Sequence, residues 1–264
     1  MALSLPEIDP DQPTPARIYD FWLGGSQNFA ADRELGRHMA KALPSLPGAA
    51  RANRAFLGRV VYHLAAERGV DQFLDLGSGV PTMRNVHEVA REANPRAAVA
   101  YVDVDPVAVE HARMLLSGVP GVASLLADLR RPETVLRHPL LAETLDLDRP
   151  VAVLLFAVLH FMPQADEIVK AYADAVVPGS FIALSHAETQ AATSQEHASA
   201  ASDYTNATGV SVVSRSPRDL AALLEGLAIE PPGVVPIEQW GAEPGTAGAS
   251  GTEMRMHGVL ARKP

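Results

Sequence analysis

Three acidic residues each close an apolar run of strand length: Asp75 in FLDLGSGVPT, Asp103 in YVDVDP and Asp128 in LLADLRRPE. After Asp75 the chain reads Gly77-Ser78-Gly79 and then a helical stretch, a pattern that lets backbone approach a ligand where a side chain would clash. The loop makes a poor phosphate cradle. A pyrophosphate site wants a third glycine and free N–H groups at the helix start, whereas here that glycine is missing and Pro81 removes a donor. Asp75 adds negative charge where a polyphosphate would be repelled, so the loop suits a ligand without phosphate, preferably a cationic one. At the second tip, Asp103 can accept two hydrogen bonds from a ribose diol. Asp105, two positions on, suits the cap of the next helix. At the third tip, Asp128 can accept from an adenine amino group while the backbone of Leu129 addresses the ring. Any one of these aspartates could simply cap a helix; three at successive strand ends read as an adenosine site.

The histidines offer proton transfer. His160, in VLHFMP just past the fourth strand, is the best-placed candidate base, and His186 at the tip of the fifth is the next. The alternative for His160 is a histidine hydrogen-bonded under a loop. His63, His87 and His111 fall on helical stretches at spacings of solvated or core-edge positions. No pair of histidines stands at metal-ligand spacing with a carboxylate, so no catalytic metal is expected.

Positioning these groups takes a particular order of elements. DQFLDL (71–76), AAVAYVDV (97–104), VASLLAD (122–128), VAVLLFAV (151–158) and SFIALSH (180–186) are apolar strand-length runs, with helical stretches over 82–93, 106–117, 132–145 and 164–176 between them. Continuous hydrophobic strands alternating with helices predict a parallel sheet covered on both faces, joined by right-handed crossovers. Past Arg215 the text changes to a helix, SPRDLAALLEGL, and then GVVPIEQW and MRMHGVLARKP around the Gly-rich stretch 241–251, which together predict a terminal antiparallel hairpin. Ahead of the sheet, 16–68 reads as helical with breaks at Gly24-Gly25 and at LPSLPG. The polar, small-residue segment 187–214 fits no element clearly.

The whole chain of 264 residues is 47% hydrophobic, carries a net charge of −9 and has no cysteine, which leaves out disulfides, thiolate nucleophiles and cysteine metal sites. The acidic balance argues against nucleic acid, whose phosphates are bound largely through Lys and Arg. With no signal-peptide pattern in MALSLPEIDPDQ and no apolar run of membrane length, a cytoplasmic protein is expected. One run stands apart. PTPARIYDFWLGGSQNFAADRE (13–34) holds four of the chain's fourteen aromatic residues, interleaved with Arg17, Asn28 and Asp32. In an open parallel sheet the ligand sits beyond the carboxyl ends of the strands and needs a cover. This segment is expected to be that cover, with Tyr19 and Asn28 facing the ligand and Arg17 paired with a carboxylate of ligand or protein. The alternative is a helix packed on the sheet's flank.

DLGSGVPT, YVDVDP, ADLRRPE and VLLFAVLHFMP resemble the successive motifs of class I S-adenosylmethionine-dependent methyltransferases. ARIYDFWLGGSQNFAADRE, PGSFIALSH and HGVLARKP narrow the resemblance to an actinobacterial family labelled S-adenosyl methyltransferase, formerly a domain of unknown function, over essentially the full length. The resemblance implies a Rossmann-like α/β fold with a seven-stranded sheet in the order 3-2-1-4-5-7-6, strand 7 antiparallel. An N-terminal helical extension or lid is expected over 1–68 and a methyltransferase core over 69–264. The resemblance also implies that Asp75, Gly77, Ser78 and Gly79 hold the methionine end of S-adenosylmethionine, Asp103 and Val104 the ribose, and Asp128 and Leu129 the adenine, with Phe156 and Ala157 flooring the site. The expected reaction is methyl transfer to a small-molecule acceptor, leaving S-adenosylhomocysteine. A protein that senses the cofactor without turnover is the alternative. A nicotinamide-dependent oxidoreductase is disfavoured by the missing glycine.

Overall fold

A computed structural model describes residues 8–81, 84–189, 195–241 and 254–264. Three helices come first: α1 (Pro15–Trp22), α2 (Ala30–Ala42) and α3 (Leu46–Ala66). The alternating core follows as β1 (Gln72–Leu76), α4 (Val86–Ala93), β2 (Ala98–Asp103), α5 (Pro106–Leu115), β3 (Val122–Leu126), α6 (Pro132–Leu136), α7 (Pro139–Thr144), β4 (Ala152–Phe156), α8 (Ala165–Ala175) and β5 (Phe181–Thr189). The chain ends with α9 (Gln195–Thr208), α10 (Pro217–Ala222), β6 (Ala228–Ile229), β7 (Val235–Pro236) and β8 (Met254–Arg262). Among the described residues no helix is long and apolar enough to cross a membrane.

The strands form one sheet in the order β3-β2-β1-β4-β5-β8-β6, with β7 also paired to β8. The first five run parallel, and β8 is antiparallel to β5, β6 and β7. This is the expected order, with one short strand more. Register brings the tips level: Asp75 lies opposite Tyr101 and Leu154, Asp103 opposite Leu126, and Phe156 opposite Ser185. Alternation along each strand then builds two cores. Leu74, Leu76, Leu125, Leu155 and Leu184 pack on one face with α8 and α10, and Phe73, Val99, Tyr101, Leu154 and Phe156 pack on the other with α3 and α4. A third cluster lies outside the sheet, where Ile18, Leu35, Met39 and Leu46 of the N-terminal helices meet Ala200 and Tyr204 of α9.

Several boundaries differ from the sequence expectation for local reasons. The helix expected over 132–145 is two, because Pro139 starts a new one, capped by the Nδ1 of His138 accepting from the Leu140 N–H at 3.2 Å. The helix expected from Thr82 begins at Val86, after Asn85, whose N–H donates to Glu88 at 2.6 Å; residues 82 and 83 lie outside the described residues. The outer arm of the terminal hairpin is not one strand over 233–240. It is β6 and β7, separated by the Pro231-Pro232 pair, whose missing N–H groups cannot feed a ladder. The Gly-rich stretch expected to turn the hairpin lies, from 242 onwards, outside the described residues. The segment 187–214 supplies the end of β5 and the whole of α9.

Candidate active site

A chamber of about 410 Å³ opens above the carboxyl ends of β1, β2, β3 and β4. Its lining includes Tyr19, Asp75, Gly77, Ser78, Gly79, Asp103, Val104, Asp128, Leu129, Phe156, Ala157 and His160; of the sequence-predicted candidates, Asn28, Arg17 and His186 lie outside it. Asn28 is turned inward. Its amide donates to Asp20 at 2.7 Å and to the Gly25 carbonyl at 3.0 Å, which braces the bend between α1 and α2.

The glycines do two different jobs. Gly77 sits at φ +73°, and a Cβ there would come within 2.4 Å of the Val158 side chain, so both conformation and packing demand glycine. Gly79 sits at φ +65° with open space where its Cβ would be, leaving room above the turn. Its N–H donates to Asp103 at 2.7 Å, and the Asp105 N–H donates to the other oxygen of Asp103 at 2.8 Å. Each oxygen keeps acceptor capacity for a diol. Burial, partly offset by these donors, pushes Asp103 up to about 6. Asp75 is buried with no donor bonded to its carboxyl among the described residues; burial pushes it up to about 7, with Arg54 opposing and Asp103 adding to the rise. Asp128 is partly exposed and gripped by Arg130 at 2.7–3.0 Å, which holds its carboxyl below the usual range against the cost of burial. Asp105 caps α5, accepting from the Val107 N–H at 2.8 Å.

The floor is held by a chain of hydrogen bonds. Ala157 is a non-glycine at φ +52°, a strained setting of the kind found at functional sites. Its N–H donates to Ser185 Oγ at 2.9 Å, Ser185 Oγ donates to Asn53 at 2.6 Å, and Asn53 donates to the Tyr19 hydroxyl at 3.0 Å, which donates to the Ala50 carbonyl at 2.9 Å. Tyr19 therefore lines the chamber while its hydroxyl ties α1 to α3.

The N-terminal segment is tied to the strand tips. Arg17 pairs with Asp32 at 2.9 Å and faces Asp105 at 3.7 Å, all three being buried. The carboxylate it was expected to find is thus a protein one. Asp32 also accepts from the N–H groups of Thr14 (3.0 Å) and Phe29 (2.7 Å), and Thr14 Oγ1 donates to Asp105 at 2.5 Å.

The two candidate bases separate. His186 is fully buried outside the chamber lining; its Nδ1–H donates to the Ala187 carbonyl at 2.8 Å and its Nε2 accepts from Arg215 at 3.0 Å, so both ring nitrogens are engaged. His160 lines the chamber, and burial lowers it to about 3, with His186 and Arg215 adding to the fall. Its Nδ1 is buried with no hydrogen-bond partner among the described residues.

Sequence reasoning missed Asn53 and Arg54, although Asn53 interrupts the apolar stripe Leu46, Ala50, Leu57, Val61 of α3 and could have been read as a buried polar group with a purpose. It also missed Tyr204, for which the small-residue text of α9 carries no signal.

An open, mostly parallel sheet with acidic residues at three successive tips and a glycine turn at the first is the architecture of class I S-adenosylmethionine-dependent methyltransferases. The family profile described as S-adenosyl methyltransferase matches residues 2–264, and the chain belongs to that family. A DUF574 family protein from Streptomyces avermitilis is 37% identical with a TM-score of 0.91, covering 98% of this chain and 100% of its own. A candidate methyltransferase from Thermobifida fusca is 37% identical with a TM-score of 0.89, covering 100% of both chains. The plantazolicin methyltransferase BpumL, solved with S-adenosylhomocysteine, is 12% identical with a TM-score of 0.52, covering 94% of this chain and 95% of its own, and shares the fold. No curated protein matches the chain.

Proposed function

We propose that this methyltransferase binds S-adenosylmethionine across the strand tips and passes its methyl group to a small-molecule acceptor. The observation that carries the reading is Asp75, a buried carboxyl without a bonded donor among the described residues, facing a chamber beside a second raised carboxyl. A cationic ligand offers what that site lacks, and an adenosyl sulfonium with an ammonium group is one. Asp75 and the Gly77–Gly79 turn hold the methionine end, Asp103 with Val104 the ribose, Asp128 with Leu129 the adenine. Phe156 and Ala157 form the floor. When bound, the cofactor supplies an electrophilic methyl group. The chain's part is to align an acceptor and exclude water. His160 orients a protic group of the acceptor. The N-terminal helices act as a lid latched to Asp105.

Calorimetry decides the cofactor: heat is expected from S-adenosylmethionine and S-adenosylhomocysteine and none from NAD. Tight NAD binding with no heat from either adenosyl compound overturns the reading. Hydrogen exchange over 13–34 is expected to slow when S-adenosylhomocysteine is added; unchanged exchange would leave the segment as packing.

A further inference from the structure

The chamber is divided by chemistry. Its charged lining residues are Arg54, Asp75, Asp103, Asp105, Asp128 and Arg130, all from the strand-tip loops or the adjoining face of α3. The two cations are engaged on that side: Arg130 grips Asp128, and Arg54 donates to Asn85 at 3.1 Å. The remaining wall is drawn from Trp22, Leu46, Phe161, Met162, Tyr204 and Val210, without a charge among them. Phe161 and Tyr204 lie nearly parallel there, 11° between planes at 6.2 Å, and the Trp22 ring is fixed by donating to the Gly36 carbonyl at 3.0 Å.

His160 stands against Phe161, ring centroids 4.2 Å apart. Its contrast with His186, 5.6 Å away, is informative: the neighbour uses both ring nitrogens, while the buried Nδ1 of His160 has no partner among the described residues. Nδ1 is sealed from solvent, so His160 meets a ligand through Nε2, which also has no hydrogen-bond partner among the described residues. A polar group left unpaired against a ligand costs on the order of 1–3 kcal/mol, so a ligand that pairs it gains. A carboxylate, phosphate or ammonium on that ligand would be stripped of water against this wall with no counter-charge. Aromatic walls favour an aromatic body. A hydroxyl both donates and accepts, and so meets an imidazole in either tautomer.

We propose that the cap side of the chamber takes an uncharged, hydroxylated aromatic small molecule as methyl acceptor, its ring against Phe161 and Tyr204 and its hydroxyl on His160. This rests on the methyltransferase reading and specifies its acceptor.

The test is calorimetric binding to the full chain, with and without saturating S-adenosylhomocysteine, of three probes: 2-naphthol, 6-hydroxy-2-naphthoate and 2-methylnaphthalene. 2-Naphthol is expected to bind at least about tenfold more tightly than either of the others, the scale of one uncompensated polar group. In His160→Asn the preference of naphthol over methylnaphthalene shrinks while methylnaphthalene affinity holds. Phe161→Ala weakens all three, and because Phe161 also packs on the core, Val210→Lys on the half-buried loop after α9 serves as the second variant, shifting preference towards the naphthoate. Equal or tighter binding of the naphthoate by the unaltered protein, or no saturable binding of any probe, overturns the proposal. Naphthol binding with the expected preference but no binding of S-adenosylhomocysteine would overturn the cofactor reading instead.

Discussion

The two sides of the chamber are built on opposite plans. The strand-tip side takes its groups from consecutive βα turns, so sheet register alone brings Asp75, Asp103 and Phe156 together. The cap side gathers Trp22, Phe161, Tyr204 and Val210 from distant parts of the chain, held by packing and by scattered tertiary hydrogen bonds such as that of Trp22 to the Gly36 carbonyl. A site fixed by backbone tolerates little change. One assembled from loose wall residues can alter its occupant while the cofactor side stays as it is.

The largest expected effect tests how firmly backbone dictates the first side. Gly77→Ala should cost about 2–4 kcal/mol in urea unfolding, the sum of positive-φ strain and overpacking on Val158, whereas Gly79→Ala, with open space around it, should cost only about 1–2. Equal losses would show that packing plays no part. Next, Asp103→Ala should weaken S-adenosylhomocysteine binding by about 1.5–3 kcal/mol by calorimetry, and should also lower the melting temperature, because the Gly79 and Asp105 N–H groups lose their acceptor.

The third effect is a pH dependence. Asp75 is pushed up to about 7 and must be ionised to pair with a cation, so S-adenosylmethionine affinity should rise roughly tenfold from pH 6 to pH 8, about 1.4 kcal/mol, with proton release on binding. The folding sign is opposite. A carboxyl raised in the folded state contributes stability that is full below its unfolded value and is lost as pH rises through about 7, so the ligand-free melting temperature should fall over pH 5–8 and the cofactor should reverse part of that fall. A flat affinity profile would remove Asp75 from the site. The smallest effect probes the join between the two sides: Thr14→Val removes the hydrogen bond to Asp105 and should weaken cofactor binding by about 0.5–1 kcal/mol while speeding amide exchange in α1. Unchanged exchange would mean the cap is held by Arg17, Tyr19 and the Ile18 cluster without help from Thr14.

The strand-tip side was legible in the sequence because its signals are local. An acid at the end of an apolar run, or a Gly-x-Gly before a helix, is visible within ten residues and survives into the structure wherever the sheet order is right. The terminal strands were less so, since Ala228–Ile229 carries too few residues to show any period. Asn28 illustrates a different failure. Composition marked it as polar among aromatics, but which way an amide points depends on Asp20, which its hydrogen bond engages. His160 and His186 occupy similar places at strand ends, and it is the Ala187 carbonyl together with Arg215, arriving from a later loop, that separates a satisfied ring from an unsatisfied one. Tertiary partners of this kind leave no mark on spacing.

The cluster joining α2 to α9 has a consequence for how the chain matures. His38 meets Asp203 at 2.9 Å across 165 residues, and Leu35 and Met39 pack with Ala200 and Tyr204. The first helices leave the ribosome with apolar faces whose partners are not yet synthesised, and closing so long a loop is unfavourable until the intervening sheet brings the ends near. The cap is therefore expected to dock last, onto a core already formed. Until it does, Ile18, Leu35 and Met39 stay exposed to chance association with other chains, and any shortage of completed protein should trace to that interval rather than to the sheet itself.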